Sequence, residues 1–548
     1  MLWIYGILSH TQIVHCTDNM LSLSVILSTL VLSVSAAGSN FQERCVSLAN
    51  PSLLDIPGAQ VMLSQFVTAN TTLEFPNSDP SCTRPSQRVT ADLCRIALYV
   101  PTSPRSGIKM EAWLPQNWTG RFLSTGNGGL GGCIQYEDLD YTSSLGFAAV
   151  GTNNGHDGMG GQSFLNNSDI IEDFAYRALH TGVVIGKAIT ATFYERPYTK
   201  SYYLGCSTGG RQGFKEAQAF PEDFDGIVAG APAFAFNNLT SWSCHFRPLT
   251  GSQGSPTFVP LNMWDTIHGD ILKQCDGIDG VRDGILESPD LCEYNPDALI
   301  CTSNTINTTN CLTATQTQTV RSIFSPLLGI NGTLVYPGMQ PGSENTGAVQ
   351  NYYTGKDFFA YDWFRYAIFK NPNWTSLSLT PEDYAFSSHL NLFNIETWNG
   401  NLSAFKNRGA KLLHYHGLAD GTISSNNSPR YYQHVSDTMS LNSSQLDEFY
   451  RFFRISGMGH CADGPGASFI GNAERTVASF NPDENVLMAM VRWVEQGVAP
   501  DTIKGTAFVN GTKGAGVAFR RRHCRWPRRN IYKGEGDPND EDSWECVV

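Results

Sequence analysis

The fold of this chain follows from the stretch Ser201-Tyr202-Tyr203-Leu204-Gly205-Cys206-Ser207-Thr208-Gly209-Gly210-Arg211-Gln212-Gly213. A short β-prone run leads into a serine between two glycines, and a glycine-rich helix start follows. This pattern is typical of a nucleophile elbow, a sharp strand-to-helix turn that exposes a serine hydroxyl. The helix N-terminus and nearby backbone N–H groups favour the negative charge that develops in acyl transfer. The stretch therefore predicts a serine nucleophile, Ser207.

On both sides of the elbow, β-prone runs alternate with loops and helix-like stretches. The predicted strands are residues 95–100, 121–125, 146–151, 226–230, 410–417 and 449–455, and the predicted helices are 169–192 and 485–496. Alternation of this kind indicates a mixed or parallel sheet with crossover helices. The pattern breaks after about residue 235 and resumes near 400. We therefore expect an α/β fold, with an α/β-hydrolase core at residues 38–234 and 400–548 and an inserted lid domain at 235–399.

Composition and charge exclude several classes of partner. The 548 residues are 41% hydrophobic and 16% charged, which is typical of a globular protein with a substantial core. A formal net charge of -13 argues against a general attraction to nucleic acid or anionic membranes. The longest basic run is only Arg520-Arg521-Arg522. A neutral or aromatic substrate fits this chain better, and the oligomeric state stays open.

The N-terminus has the pattern of a secretion signal. Residues 21–37 are apolar and end in small residues, which predicts cleavage near position 36 or 37. We expect residues 1–37 to be a signal peptide, and the hypothesis that Met20 is the true start would make residues 1–19 a gene-model extension. The apolar run is shorter than the roughly 20 residues that span a membrane. The protein is therefore expected to be secreted, and eleven Asn-X-Ser/Thr sequons agree with that expectation.

The cysteine count supports an oxidising compartment. Fourteen cysteines, of which Cys16 precedes the cleavage site, leave thirteen and predict six disulfides and one free thiol. The expected short-range pairs are Cys275–Cys292, Cys301–Cys311 and Cys524–Cys546, and two more bridges are expected among Cys45, Cys82, Cys94 and Cys133. The free thiol is expected at Cys244.

A serine nucleophile needs a histidine base and a carboxylate that orients it. In an α/β-hydrolase these follow in the order Ser, Asp, His. Asp420 comes just after a predicted strand, in His416-Gly417-Leu418-Ala419-Asp420, and His460 lies in the next such loop, in Gly457-Met458-Gly459-His460-Cys461. We predict that His460 takes the proton of Ser207 and that Asp420 holds the imidazole. Asp447 and Asp463 compete for the carboxylate role.

The oxyanion hole needs two backbone N–H groups. One comes from the residue after the nucleophile, Thr208, and the other from a glycine loop earlier in the sheet. The loop Gly126-Asn127-Gly128-Gly129-Leu130-Gly131-Gly132 follows a predicted strand and meets this need. Either Gly128 or Gly129 is the second donor, and the sequence does not choose between them.

Taken together, the Gly205–Gly213 stretch, the Asp420 loop and Gly459-His460-Cys461 resemble the tannase and feruloyl esterase family of secreted hydrolases. The resemblance runs from about residue 42 to the end of the chain. In that family the cysteines beside the nucleophile and the base form a disulfide, which implies a bridge between Cys206 and Cys461. The resemblance also implies hydrolysis of phenolic-acid esters through an acyl-enzyme.

The acidic segment at residues 275–285 suits a cation. Its aspartates alternate with glycines, and hard oxygen ligands in a turning loop are what Ca²⁺ prefers. The spacing is not that of an EF-hand, and a solvated acidic turn is the simpler interpretation of the residues alone. The family resemblance implies a structural Ca²⁺ in the lid, bound by the side chains of Asp276, Asp279 and Asp283 and the backbone oxygens of Val281 and Ile285.

Residues 352–369 of the predicted lid hold nine aromatic side chains, and a flat phenolic acyl group needs an aromatic-lined slot. We expect a feruloyl esterase that acts on feruloyl, caffeoyl or p-coumaroyl esters, free or attached to plant cell-wall polysaccharide. A tannase that acts on galloyl esters is the alternative. Feruloyl esters are preferred because the mature length resembles that of feruloyl esterases. In addition, residues 235–399 lack a dibasic site of the kind at which some fungal tannases are processed into two chains. A secreted, inactive glycan-binding protein is the second alternative.

Overall fold

A nine-stranded sheet forms the centre of this computed structural model, which describes residues 40–302 and 310–548. Strand order across the sheet is β1-β4-β5-β7-β6-β8-β9-β12-β13, and the six strands from β7 to β13 run parallel. Eight further strands form four two-stranded ribbons. The strands are β1 (Gln60–Val67), β2 (Thr72–Glu74), β3 (Ser86–Arg88), β4 (Leu93–Ser103), β5 (Ser106–Pro115), β6 (Arg121–Thr125), β7 (Phe147–Thr152), β8 (Lys200–Cys206), β9 (Gly226–Gly230), β10 (Leu327–Leu328), β11 (Leu334–Tyr336), β12 (Lys411–Gly417), β13 (Tyr450–Ile455), β14 (Thr502–Phe508), β15 (Val517–Cys524), β16 (Arg529–Tyr532) and β17 (Trp544–Val547).

Helices cover both faces of the sheet, because the buried strands alternate their side chains between two apolar cores. In β8, Tyr203 faces a core that α4 and α5 share, whereas Tyr202 and Leu204 face the core of α14. The helices are α1 (Phe41–Ser47), α2 (Tyr136–Ser144), α3 (Ser168–Glu172), α4 (Ala178–Tyr194), α5 (Thr208–Ala219), α6 (Phe236–Thr250), α7 (Met263–Cys275), α8 (Ala314–Phe324), α9 (Ala348–Tyr352), α10 (Pro381–Leu390), α11 (Ser403–Asn407), α12 (Asn427–Met439), α13 (Ser443–Leu446) and α14 (Val486–Gln496).

Between β9 and β12 the chain leaves the sheet for about 180 residues. This part contains α6 to α11 and the short β10–β11 ribbon, and it contributes no strand to the central sheet. Its buried tryptophans, Trp242, Trp264 and Trp363, belong to a third apolar cluster. Phe41–Val548 form one compact unit. The division of that unit at residues 235 and 399, and the lid role of the segment between them, stay predictions.

The sequence located the parallel half of the sheet well. The ends of each predicted strand lie within three residues of the ends of an observed strand. The predicted helix 169–192 corresponds to α3 and α4, and the predicted helix 485–496 corresponds to α14. The antiparallel strands β1 and β5 were missed. The predicted signal peptide, residues 1–37, lies outside the described residues, as does Cys16. Across residues 40–302 and 310–548, no helix has both the length and the apolar character needed to cross a membrane.

Candidate active site

Ser207 stands at a strained turn between β8 and α5. Its backbone angles are φ 66° and ψ −122°, in a region that non-glycine residues rarely adopt. The Ser207 N–H donates to the carbonyl of Gly230 at 3.0 Å, which fixes the turn to the neighbouring strand β9. A side chain at Gly210 would come within 2.2 Å of the same carbonyl oxygen. The small residues around Ser207 therefore let the strand and helix pack closely while the serine projects outward.

Asp420 and His460 meet at the ends of β12 and β13. The His460 Nδ1–H donates to Asp420 Oδ2 at 2.8 Å, so the opposite ring nitrogen, Nε2, is left to act as a base. The Asp420 side chain is fully buried, and its Oδ1 accepts the backbone N–H groups of Thr422 and Ile423 at 2.8 and 2.9 Å. Asp420 is thus fixed as an acceptor facing His460.

The electrostatics of this pair favour an ionised carboxylate. Burial alone would raise the pKa of Asp420, but the charge of His460 and the hydrogen bond from His416 outweigh burial and hold that pKa well below its ordinary value. Asp447 pairs with Arg525, and the exposed Asp463 pairs with Arg475 at 3.1 Å. Of the three candidate aspartates, only Asp420 contacts His460 in the described chain.

Behind Asp420 lies a buried chain of hydrogen bonds that the sequence analysis missed. His416 Nε2 is 3.1 Å from Asp420 Oδ2, and its Nδ1 is 2.6 Å from the hydroxyl of Ser428. The same hydroxyl is 2.9 Å from His414 Nε2, whose ring contacts the hydroxyl of Tyr450 at 3.0 Å. The only signal in the sequence was two histidines on one predicted strand, four and six residues before the aspartate.

A disulfide joins the nucleophile strand to the base loop. Cys206 and Cys461, neighbours of Ser207 and His460, are bonded with a Cα–Cα distance of 6.1 Å. This is the bridge that the family resemblance implied. The Cys461 carbonyl also accepts the side-chain N–H of Asn472 at 2.8 Å. Ser207 and His460, which follow different strands, are therefore covalently linked through the cysteines next to them.

The other cysteines pair as the sequence predicted. Within residues 41–548 the remaining bridges are Cys45–Cys94, Cys82–Cys133, Cys275–Cys292, Cys301–Cys311 and Cys524–Cys546. Cys244 is free and buried, as expected.

The candidate oxyanion donors surround Ser207. Thr208 begins α5, so its N–H is one of the first four in the helix and has no helical carbonyl partner. Its hydroxyl donates to the carbonyl of Gly129 at 2.5 Å and holds the glycine loop against the elbow. Gly128 and Gly129 both border the cavity at Ser207. The choice between them stays open.

Two cavities meet at Ser207. The smaller, about 40 Å³, is the apolar pocket, and the larger, about 790 Å³, is the polar cleft, which also contains His460. The apolar pocket is lined by Leu130, Ala233, Phe236, Leu239, Tyr352, Phe358, Phe359 and Ile423, with the hydroxyls of Thr240 and Ser243. The polar cleft is named for the charged and amide side chains on its walls, and it is lined by apolar side chains as well. The former are Arg84, Gln135, Glu137, Asp138, Asn472, Glu474 and Arg475, and the latter include Met159, Phe358 and Phe359.

The predicted calcium loop is compact and acidic. Asp276 and Asp279 are 6% and 2% exposed, and burial together with neighbouring carboxylates raises the pKa of Asp279 to about 7. Asp279 and Asp283 accept the backbone N–H groups of Val281 and Ile285 at 3.0 and 3.1 Å. Within the described ranges the three carboxylates do not all approach to within 4.8 Å of one another. Carboxylate oxygens are ligands that a hard cation prefers, and a bound cation would draw these side chains together.

Arg521 fastens this loop to the core. Its guanidinium donates to Asp283 Oδ2 at 2.7 Å and also pairs with Glu287. Glu287 in turn accepts the hydroxyl of Ser456, which follows β13. The acidic loop is therefore tied to the strand that leads to His460.

Comparisons with known proteins agree with this geometry. Residues 94–547 match the family described as "Tannase and feruloyl esterase". The chain is 52% identical over 531 residues to a probable feruloyl esterase B-2 of Aspergillus oryzae, covering 96% of this chain and all of that one. A crystal structure of feruloyl esterase B from Aspergillus oryzae superposes with a TM-score of 0.90 at 51% identity, over 92% of this chain and all of that chain. A tannin acyl hydrolase from Aspergillus niger shares the fold, with a TM-score of 0.71 at 24% identity over 92% and 96% of the two chains.

Proposed function

This chain belongs to the tannase and feruloyl esterase family, and from that premise we propose that it hydrolyses hydroxycinnamoyl esters by serine catalysis. It is a carboxylic ester hydrolase. The observation that carries the mechanism is the contact of His460 with the buried Asp420. The loop that contains His460 is joined by a disulfide to the Ser207 elbow. A feruloyl, caffeoyl or p-coumaroyl group is the acyl part of the proposed substrate.

In the proposed acylation step, Ser207 Oγ attacks the ester carbonyl while His460 Nε2 takes its proton. The tetrahedral oxyanion is stabilised by the Thr208 N–H and by the N–H of Gly128 or Gly129, and each such donor contributes about 10²–10³ in rate. His460 then returns the proton to the leaving alcohol as the C–O bond breaks. Asp420 holds the imidazole and stabilises the imidazolium.

Deacylation repeats these steps with water in place of Ser207. His460 takes a proton from the water as its oxygen bonds to the acyl carbon. The intermediate collapses, the bond to Ser207 Oγ breaks, and His460 protonates the serine. The products are the free phenolic acid and the alcohol, and the enzyme is regenerated without an external oxidant or reductant.

The apolar pocket supports an aromatic acyl group. Aromatic side chains line it together with Thr240 and Ser243, and we propose that the hydroxyls of Thr240, Ser243 and Tyr352 accept hydrogen bonds from ring substituents. The pocket is narrow, so an entering ring would have to displace side chains such as Phe358 or Phe359. A galloyl substrate remains the alternative, and an inactive glycan-binding protein is disfavoured by the presence of all three triad candidates.

Several broader features belong to the same proposal. We propose that the core is an α/β-hydrolase fold, that residues 235–399 act as its lid, and that the protein is secreted, which six disulfides support. We also propose that Asp276, Asp279 and Asp283 hold a structural Ca²⁺ with the carbonyls of Val281 and Ile285. The cation would neutralise the buried carboxylates and brace the loop that Arg521 anchors.

A hydrolysis panel tests the activity. Methyl ferulate, methyl caffeate, methyl p-coumarate and methyl gallate would be compared by kcat/KM, with Ser207→Ala as the blank. We expect turnover of the three cinnamoyl esters and none in the blank. A preference for gallate would overturn the substrate assignment, and activity retained in the Ser207→Ala protein would overturn the mechanism.

A further inference from the structure

We propose that His180, Glu216 and Asp223 form a binding site for a divalent transition-metal ion such as Zn²⁺. They offer one imidazole and two carboxylates, and one ligand atom from each lies within 4.8 Å of the other two. Zinc bonds to nitrogen and oxygen ligands of this kind are about 2.1 Å long, so two ligands of one ion are up to about 4.2 Å apart. Small side-chain movements would therefore bring all three onto one ion. The site takes no part in ester hydrolysis and does not rest on it.

The three residues lie away from the candidate active site. Glu216 comes eight residues after Thr208 on α5, which places it about 12 Å along the helix from the elbow. His180 is in the first turn of α4, and Asp223 is in the turn that joins α5 to β9. An ion at this cluster would therefore connect two helices on one face of the sheet with the turn that leads into β9.

Glu216 is the side chain that indicates a ligand. It is 1% exposed, and neither of its carboxylate oxygens has a hydrogen-bond partner among the residues that the structure describes. Buried charges in proteins are paired or coordinate metals, because an isolated carboxylate loses its hydration on burial. The carboxylate of Asp223 lies beside it, so repulsion adds to the cost of burial. A positive charge between the two acids would remove both costs.

The other two ligands are held in position. His180 Nδ1 is 2.7 Å from Asp223 Oδ2, and the His180 ring stacks on Phe220 with 3.7 Å between the ring centroids. The Asp223 carbonyl accepts the hydroxyl of Ser201 at 2.9 Å, at the start of β8. A metal ion would take the place of the hydrogen bond between His180 and Asp223 and would release its proton. The backbone at both ligands is therefore already in place.

Two lysines lie near the cluster, and they do not balance its charge. Lys187 Nζ donates to the Asp223 carbonyl and is 3.5 Å from Asp223 Oδ1. Lys215 Nζ donates to the carbonyl of Asn394 at 2.9 Å. Neither ammonium donates to Glu216 within the described ranges. Two carboxylates thus share the one ammonium that Lys187 brings, which leaves a net negative charge to attract a divalent ion.

A proton shared by Glu216 and Asp223 is the competing occupant. Burial and the negative charge of Asp223 raise the pKa of Glu216 well above its ordinary value, so a proton would also compensate this carboxyl group. The imidazole favours the metal, because nitrogen and carboxylate oxygen together are a common zinc ligand set, whereas a shared proton needs no third group. Access favours it too, since the His180 side chain is 31% exposed and an ion can enter past it from solvent.

Zinc binding by the full chain tests this proposal. Chelator-treated protein would be dialysed against micromolar Zn²⁺ with Ca²⁺ in excess, so that the acidic loop at residues 275–285 does not take up zinc, and the bound zinc would be measured by elemental mass spectrometry. We expect about one zinc per chain in the wild type and binding weaker by about tenfold or more in Glu216→Gln and in His180→Ala. The control His389→Ala removes an exposed imidazole on α10 and should bind zinc as the wild type does.

Added Zn²⁺ should also raise the melting temperature of the wild type and leave that of Glu216→Gln unchanged. A wild-type protein that binds no zinc would overturn the site and leave the shared proton as the occupant. Zinc bound equally well by the wild type and by folded Glu216→Gln or His180→Ala would overturn it too. If Glu216→Gln does not fold, His180→Ala decides, because that side chain is only partly buried. Failure to hydrolyse methyl ferulate would instead overturn the proposed function, so the two failures are distinguishable.

Discussion

Two parts of the molecule meet at Ser207, and they are built in different ways. On one side, the ends of the parallel strands β8, β12 and β13 lead into the loops that hold Ser207, Asp420 and His460. On the other side, residues 235–399 supply much of the apolar pocket from α6, α9 and irregular loops. The first part contains every candidate catalytic side chain, and the second contains none.

The two parts differ in what they contribute to the site. Backbone hydrogen bonds of the sheet, a disulfide and a buried carboxylate hold the first part in place, as proton transfer requires. A side chain at Gly417 would come within 2.4 Å of the Gly459 carbonyl oxygen, so the acid and base loops pack against each other without space between them. The second part presents apolar surface at the pocket, and its Gln340 side chain also donates to the Asp420 carbonyl at 2.6 Å. We infer that the sheet side performs the chemistry and that residues 235–399 select the acyl group.

The largest expected effect comes from the sheet side. Asp420→Asn should lower kcat by about 10⁴-fold, because the amide cannot stabilise the His460 imidazolium. Asp463→Asn is the matched control, since Asp463 is exposed and pairs with Arg475, and it should retain near wild-type kcat. Steady-state kinetics on methyl ferulate measures both. Equal losses in the two variants would contradict the assignment of Asp420.

The two regions also offer matched disulfides. Changing Cys206 and Cys461 to Ala should lower kcat by roughly 10²-fold, because the loop that carries His460 loses its link to the nucleophile strand. The corresponding double change at Cys301 and Cys311, a bridge within residues 235–399, should leave kcat within severalfold of wild type. Far-UV circular dichroism would check that both proteins fold. Undiminished turnover in the first variant would make the catalytic-site disulfide incidental.

His416 tests whether the buried chain behind Asp420 contributes to positioning. His416→Ala should lower kcat about tenfold, since Asp420 loses one of two donors to its Oδ2. His416→Gln keeps an N–H that can reach the same oxygen and should recover part of the loss. If both variants lose kcat equally while remaining folded, hydrogen bonding to Asp420 is not the function of His416.

A change on the opposite side of Ser207 should act on substrate choice. Phe359 is 39% exposed and borders both the apolar pocket and the polar cleft. Phe359→Ala should raise KM for methyl ferulate severalfold and alter the ranking of ferulate, caffeate and p-coumarate, with a smaller change in kcat. A large fall in kcat with unchanged KM and ranking would place Phe359 with the chemistry and break the division between the two regions.

The smallest effect on turnover is expected from the acidic loop. Removal of Ca²⁺ by a chelator, or the change Asp279→Asn, should lower the melting temperature by a few degrees while kcat at room temperature stays near wild type. Added Ca²⁺ should restore the wild-type melting temperature but not that of the variant. A melting temperature that does not respond to chelator or to added Ca²⁺ would contradict the proposed site.

Sequence reasoning located the loops of the candidate site where a local pattern marks them. Distinctive small residues follow buried strands at the Ser207 elbow and in the loops of Asp420 and His460. The sequence positions of these three residues could therefore be predicted from local pattern. The pairing of Cys206 with Cys461 came from the family resemblance, because a sequence separation of 255 carries no geometric information. The disulfides that close short loops were predicted only from the closeness of their cysteines in the sequence.

What the sequence could not provide depends on contacts between distant segments. The relay from His416 through Ser428 to His414 joins β12 to α12, and nothing in either segment marks it as a hydrogen-bonded chain. Strands β1 and β5 lie in the antiparallel part of the sheet, where their neighbours in space determine their pairing. The polar cleft assembles from residues near 84, 137 and 474, so it appears only in three dimensions.

The most direct test of the central claim is to trap the acyl-enzyme. The protein would be mixed with a feruloyl ester, quenched in acid within its first turnovers, digested and analysed by mass spectrometry. The account predicts one feruloyl group on the peptide that contains Ser207, and none in the Ser207→Ala protein. A feruloyl group on another residue, or full turnover in the Ser207→Ala protein, would contradict it.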